Sequence, residues 1–126
     1  MKARRSHVEM EKLDFQSGWE PLAGFPGGLD VKMLADDLNE AEKTGGRTRL
    51  VRFAPGTATT TPLTHDYWEE VFLIEGRLGT VASDNAHAAP AYSCRPPGTP
   101  HGPFVSDTGC ILLELQYYSA AGATVT

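Results

Sequence analysis

The sequence predicts an all-β chain folded as one barrel or sandwich domain. Three observations carry this expectation. Apolar residues recur in short runs with two-residue alternation, Gly and Pro punctuate the runs at close intervals, and no stretch sustains a long helical period. At 126 residues the chain fits a single domain, and a chain of this size can bury a core without metal or disulfide staples. Residues 1–14 are polar and aperiodic and are expected to be flexible, leaving 15–126 as the domain.

The elements follow in order. In 15–28 (FQSGWEPLAGFPGG) the spacing of Gly and Pro excludes a long helix, so Trp19, Leu22 and Phe25 are expected to pack over a barrel end. Residues 29–43 read as a strand (LDVKMLA) followed by a loop, although DDLNEAEK would also suit a helical turn. Residues 47–54 (RTRLVRFA) alternate as a half-buried strand should, and Pro55-Gly56 ends them. Residues 69–74 (EEVFLI), then Glu75-Gly76, then RLGTVA, read as a hairpin. Residues 84–91 form a small-residue loop with His87 exposed, 92–95 a short strand running into the turn PPGTP, and 110–118 (CILLELQYY) the last and strongest strand.

Composition excludes several function classes. A net charge of −5 offers no basic face for nucleic acid or an acidic membrane. No apolar run approaches the ~20 residues that span a bilayer, and the start lacks an apolar signal core, so the cytoplasm is the expected location. Cys94 and Cys110 make no disulfide framework and are read as two separate thiols.

Two segments about thirty residues apart carry the chemistry. In an extended strand, side chains at even separations share a face. His65, Tyr67 and Glu69 can therefore all point inward. The second segment, 96–101 (PPGTPH), is a turn fixed by its prolines and by Gly98, and it would set His101 at the start of a strand. Two imidazoles and a carboxylate suit Fe(II), Mn(II), Ni(II), Zn(II) or Co(II), and three protein ligands leave open positions of the catalytic type.

These segments resemble the two signature motifs of the cupin superfamily, G-x5-H-x-H-x3,4-E-x6-G and G-x5-P-x-G-x2-H-x3-N. His65-x3-Glu69-x6-Gly76 matches the second His, the Glu and the closing Gly of the first, and Pro96-x-Gly98-x2-His101 matches the core of the second. EEVFLIEG with RPPGTPHGPFVSDTGCILLEL looks like the ChrR-type branch, which contains zinc-binding anti-sigma domains and to which acetylacetone-cleaving dioxygenases look related. The resemblance implies a single-domain jelly-roll barrel (a double-stranded β-helix), one divalent metal held by His65, Glu69 and His101, and a homodimer. Trp68 and Phe72, on the face opposite the ligands, would suit burial between two sheets or between the two subunits of such a dimer. The chain departs from the motifs at Leu63 (in place of the first His), Pro90 (in place of the opening Gly) and Val105 (in place of the final Asn). A four-ligand set thus becomes a three-ligand one, with either a spare position or a site that has given up metal.

Around these residues, Tyr67 is a candidate to bond a substrate oxygen or to pack in the core. Either Ile111, Leu113, Leu115 and Tyr117 or Cys110, Leu112, Glu114, Gln116 and Tyr118 line the interior, and in the second case Glu114 and Gln116 join the site. Arg49 and Arg52 lie on opposite faces, each expected in solvent or at an interface. The leading expectation is a small metalloenzyme acting on a carbonyl or enol compound, with a 2-His-1-carboxylate face that tilts it toward Fe(II) and dioxygen. Isomerase or decarboxylase chemistry with another metal, a non-catalytic sensor, and a metal-free acid/base pocket are the alternatives.

Overall fold

A computed structural model describes residues 5–119, so the first four residues of the expected flexible segment and the far end of the expected domain lie outside the described residues. Nine strands and no helix occur among them. They are β1 (Glu20–Pro21), β2 (Leu29–Asp36), β3 (Gly46–Phe53), β4 (Thr57–Ala58), β5 (Trp68–Thr80), β6 (His87–Ala88), β7 (Ala91–Arg95), β8 (Phe104–Ser106) and β9 (Cys110–Tyr117). The sheet runs β1-β2-β3-β9-β5-β8-β4, every pairing antiparallel, with β6 and β7 also on β5. This is the jelly-roll barrel of a single-domain cupin.

The hairpin expected at Glu75-Gly76 does not form. β5 runs straight through both residues as one strand of 13. Its register against β9 shifts between Leu73 and Glu75, and Gly76 takes φ +84°. A bulge beside a positive-φ glycine bends a strand without ending it. The first half of β5 therefore pairs with β7 and β9, and the second half with β6 and β8. A Cβ at Gly76 would stand 2.0 Å from Gly109 O, which makes glycine obligatory at this corner.

Register decides what faces inward. Three rows cross β3, β9, β5 and β7: Arg47–Gln116–Glu69–Arg95, Arg49–Glu114–Val71–Ser93, and Val51–Leu112–Leu73–Ala91. The barrel interior is thus polar at one end and apolar at the other. Leu29, Val51, Phe53, Val71, Leu73, Cys110 and Leu112 form the buried core, with Leu22 and Phe25 packed against it. Those two close the barrel as expected, but Trp19 does not join them. It stacks on Arg52, whose guanidinium carbon lies 4.5 Å from the ring centroid, while Arg52 also bonds Asp30.

The strand-then-loop reading of 29–43 holds, with β2 followed by a loop that Asn39 and Thr44 pin together. The loop expected over 84–91 contains the two-residue strand β6, paired with Arg77 and Leu78, and His87 is exposed there. Cys94 is exposed, Cys110 is buried, and both are free thiols. No helix among the described residues is long and apolar enough to cross a membrane.

Candidate metal centre

His65, Glu69 and His101 converge, with one donor atom from each within 4.8 Å of the others. His65 Nε2 lies 3.8 Å from Glu69 Oε2, and His101 Nε2 lies 3.6 Å from Glu69 Oε1. Only Glu69 sits in a regular strand. His65 and Tyr67 precede β5 in an irregular segment, and His101 does not start a strand, since β8 begins at Phe104. The backbone compensates. Leu63 and His101 exchange N–H to O bonds of 2.8 and 2.9 Å, and Gly98 N donates to His65 O at 2.8 Å. The turn at 96–101 is thereby strapped to the segment that carries His65.

Both rings are oriented by their far nitrogens. His65 Nδ1 lies 3.3 Å from Tyr67 O, and His101 Nδ1 lies 3.0 Å from Thr99 O. A carbonyl can only accept, so each Nδ1 carries a proton and each Nε2 is turned toward Glu69. His65 Nε2 is buried with no hydrogen-bond partner. An orphaned acceptor of this kind, beside a second imidazole and a carboxylate, fits a divalent cation. Burial also lowers the His65 pKa, against the pull of Glu69, which favours the neutral ligating form.

The carboxylate is held as firmly. Arg95 Nη1 donates to Glu69 Oε1 at 2.8 Å, and Gln116 Nε2 donates to Glu69 Oε2 at 2.6 Å. Arg47 Nε donates to Gln116 Oε1 at 2.7 Å, with Nη2 closing on the same oxygen. The inward row of the sheet is therefore one hydrogen-bonded chain from Arg47 through Gln116 and Glu69 to Arg95. Ionised oxygens have lone pairs to spare beyond these bonds, so Glu69 can still ligate.

Tyr67 is buried and stacked on His65, with centroids 4.0 Å apart and an interplanar angle of 8°. Its hydroxyl is 3.4 Å from Arg47 Nη2, and burial raises its pKa. Of the two faces left open for the last strand, Leu112, Glu114 and Gln116 line the cavity. Glu114 Oε1 accepts from Arg49 Nε at 2.8 Å. Burial pushes the Glu114 carboxyl up, with Glu69 adding to the rise and Arg49 opposing it. Arg49 itself stays firmly protonated: burial pulls its pKa down, but Glu114 more than restores it.

The expectation that Arg49 lies in solvent or at an interface is therefore overturned. Its side chain is only 14% exposed and is paired inside the cavity. Arg47 and Arg95 were missed altogether. The parity that Arg47 shares with Arg49 was a usable signal. Nothing in the sequence marks Arg95, because its position depends on the β5–β7 register. The cavity they share measures about 350 Å³, a volume usual for small-molecule sites.

The ChrR cupin-like domain profile matches residues 5–118. Solved structures of similar fold include an RmlC-like cupin from Shewanella frigidimarina, with a TM-score of 0.64 and 20% identity over 90% of this chain and 94% of that one. An acetylacetone dioxygenase from Acinetobacter johnsonii gives 0.65 and 15% over 98% and 88%. Rhodobacter sphaeroides SigE in complex with the anti-sigma ChrR gives 0.60 and 17% over 81% of this chain and 50% of the matched one. No curated protein sequence matches. At these identities the structures speak to fold alone, while the family profile spans nearly the whole chain. The chain belongs to the ChrR cupin-like family.

Proposed function

We propose that this protein is a mononuclear metalloenzyme acting on a small carbonyl or enol compound, with oxidative C–C cleavage as its reaction. The observation that carries the reading is the orphaned, buried His65 Nε2 facing Glu69 and His101 across a cavity. His65, Glu69 and His101 would hold the ion. Two imidazoles and one carboxylate favour Fe(II), with Zn(II), Mn(II) and Ni(II) as alternatives. When bound, such an ion supplies Lewis-acid polarisation of substrate oxygens and, as Fe(II), one-electron chemistry with dioxygen.

The chain's own residues supply the rest. Gln116 and Arg95 fix the Glu69 carboxylate, so Gln116 acts as a positioning residue. The Tyr67 hydroxyl faces the cavity at its polar end and donates to a substrate oxygen. Glu114 has one oxygen bonded to Arg49 and Oε2 unpartnered among the described residues. With its pKa raised by burial, that carboxyl takes the proton from an enolisable carbon at Oε2. The aliphatic lining beyond the polar rows offers an apolar wall to the rest of the substrate.

Metal analysis with oxygen-uptake measurements tests this. Protein loaded anaerobically with Fe(II) is expected to carry one ion per chain, to lose it on His101→Ala, and to consume oxygen with a panel of β-diketones and hydroxyaryl ketones. Substoichiometric metal under every loading condition, unaltered by His101→Ala, overturns the metal centre. The family match also supports a second reading, a sensor that binds without turnover. Stoichiometric metal with no oxygen uptake across the panel selects that one.

A further inference from the structure

We infer that the substrate of this site carries a carboxylate, and that Arg47 is the residue that pairs with it. The inference rests on the site proposed above and narrows its substrate to a small oxo-acid with an apolar tail. Three guanidinium groups line the cavity, and two are already neutralised. Arg49 pairs with Glu114 and Arg95 with Glu69, both at 2.8 Å. Arg47 alone makes no ion pair among the described residues, although it too is only partly exposed. Asp36 stands opposite Arg47 in the β2–β3 register and Glu40 lines the cavity rim, yet neither comes within ion-pair distance of it.

Taking a cation out of water without a counter-charge is unfavourable. Here the cost is met only by neutral acceptors, Gln116 Oε1 and the Tyr67 hydroxyl. Those contacts occupy Nε and Nη2, and Nη1 makes no bond among the described residues. The guanidinium is thus clamped along one edge and open at the other. Once Nη2 gives up its long 3.4 Å contact with the Tyr67 hydroxyl, Nη1 and Nη2 form a planar fork that suits the two oxygens of a carboxylate. The placement is also right for a substrate that reaches the metal ligands. Arg47 lies in the same row as Glu69, one residue removed, and its Tyr67 contact is stacked on His65. At the far end of the cavity, Val51, Leu112 and Phe53 offer an apolar wall for the remainder of the molecule.

Calorimetric titration of the full chain with acetoacetate and with its neutral isostere acetylacetone tests the assignment. Wild type, Arg47→Gln and Arg47→Lys are compared at fixed ionic strength, both Fe(II)-loaded under argon and metal-free. The expected result is acetoacetate binding that weakens tenfold or more in Arg47→Gln, with acetylacetone binding changed less than twofold and metal content unchanged. Arg47→Lys keeps the charge without the fork and is expected to fall between the two. If Arg47→Gln does not fold, Arg47→Lys decides alone by the same selective loss. Equal weakening of both probes, weakening of neither, or no acetoacetate binding by wild type overturns the assignment. Failure of wild type to take up metal overturns the metal centre instead, and the metal-free titrations still decide the role of Arg47.

Discussion

Gln116 makes opposite kinds of bond with the two ends of one amide. Its Nε2 donates to Glu69 and its Oε1 accepts from Arg47, while the whole side chain is 2% exposed. A carboxylate in its place would repel Glu69, and an aliphatic group would leave both neighbours short of a partner in a dry site. Each buried group left unsatisfied costs about 1–3 kcal/mol. Gln116→Leu, close in volume, is therefore expected to destabilise the metal-free protein by about 2–4 kcal/mol in urea unfolding. It should also weaken metal binding roughly tenfold or more, as loss of a group that orients a ligand does. A variant as stable as wild type would break the hydrogen-bonded row as described. The alternation in CILLELQYY already allowed Gln116 to face inward, yet which parity did so was undecidable from the strand alone. Both sets contain apolar residues, and only the β3 and β5 registers separate them.

At the scale of elements, β5 is the strand that joins the two halves of the barrel, and Gly76 is its corner. Two costs fall on any substitution there: φ +84° disfavours an L side chain, and a Cβ would meet Gly109 O at 2.0 Å. Gly98, at φ +79° in the 96–101 turn, bears only the first, since nothing lies within 4 Å of its Cβ position. Gly98→Ala is thus expected to cost about 1–2 kcal/mol, and Gly76→Ala clearly more, about 3–5 kcal/mol, both read from urea midpoints. Equal costs would remove the steric argument for the corner. The same strand shows where the sequence misleads. Glu75-Gly76 between two β-rich runs has the composition of a two-residue turn, and only the partner strand β9 reveals a bulge. The spacing of His65, Glu69 and His101 was legible because it is local within each motif. The arginines were not, because a cross-strand row exists only once register is set.

At the scale of the whole molecule, tyrosine hydroxyls tie distant segments together. Tyr92 on β7 and Tyr117 on β9 both donate to Glu70 of β5, at 2.5 and 2.9 Å. Tyr118, just past β9, donates to Asp66 at 2.8 Å and so anchors the segment between His65 and Tyr67. The fourth and last tyrosine is Tyr67 itself. All four phenols are shifted above the ordinary value of about 10. Tyr92 rises chiefly through its bond to Glu70, Tyr67 through burial, and Tyr117 and Tyr118 through burial joined by their carboxylate partners, with Tyr117 pushed up to about 12. A folded-state pKa above the unfolded one means that the fold favours the neutral phenol. The stabilisation is therefore complete below pH about 10 and is lost as pH rises from there through about 12. Near-ultraviolet titration of phenolate should find little ionisation in the native protein at pH about 10, where unfolded chain in urea is half ionised. The unfolding free energy should decline over the same interval, and Tyr117→Phe should flatten that decline. Native tyrosines that ionise half-way at pH about 10 would show that these hydroxyls do not hold the sheet and the metal-site segment together.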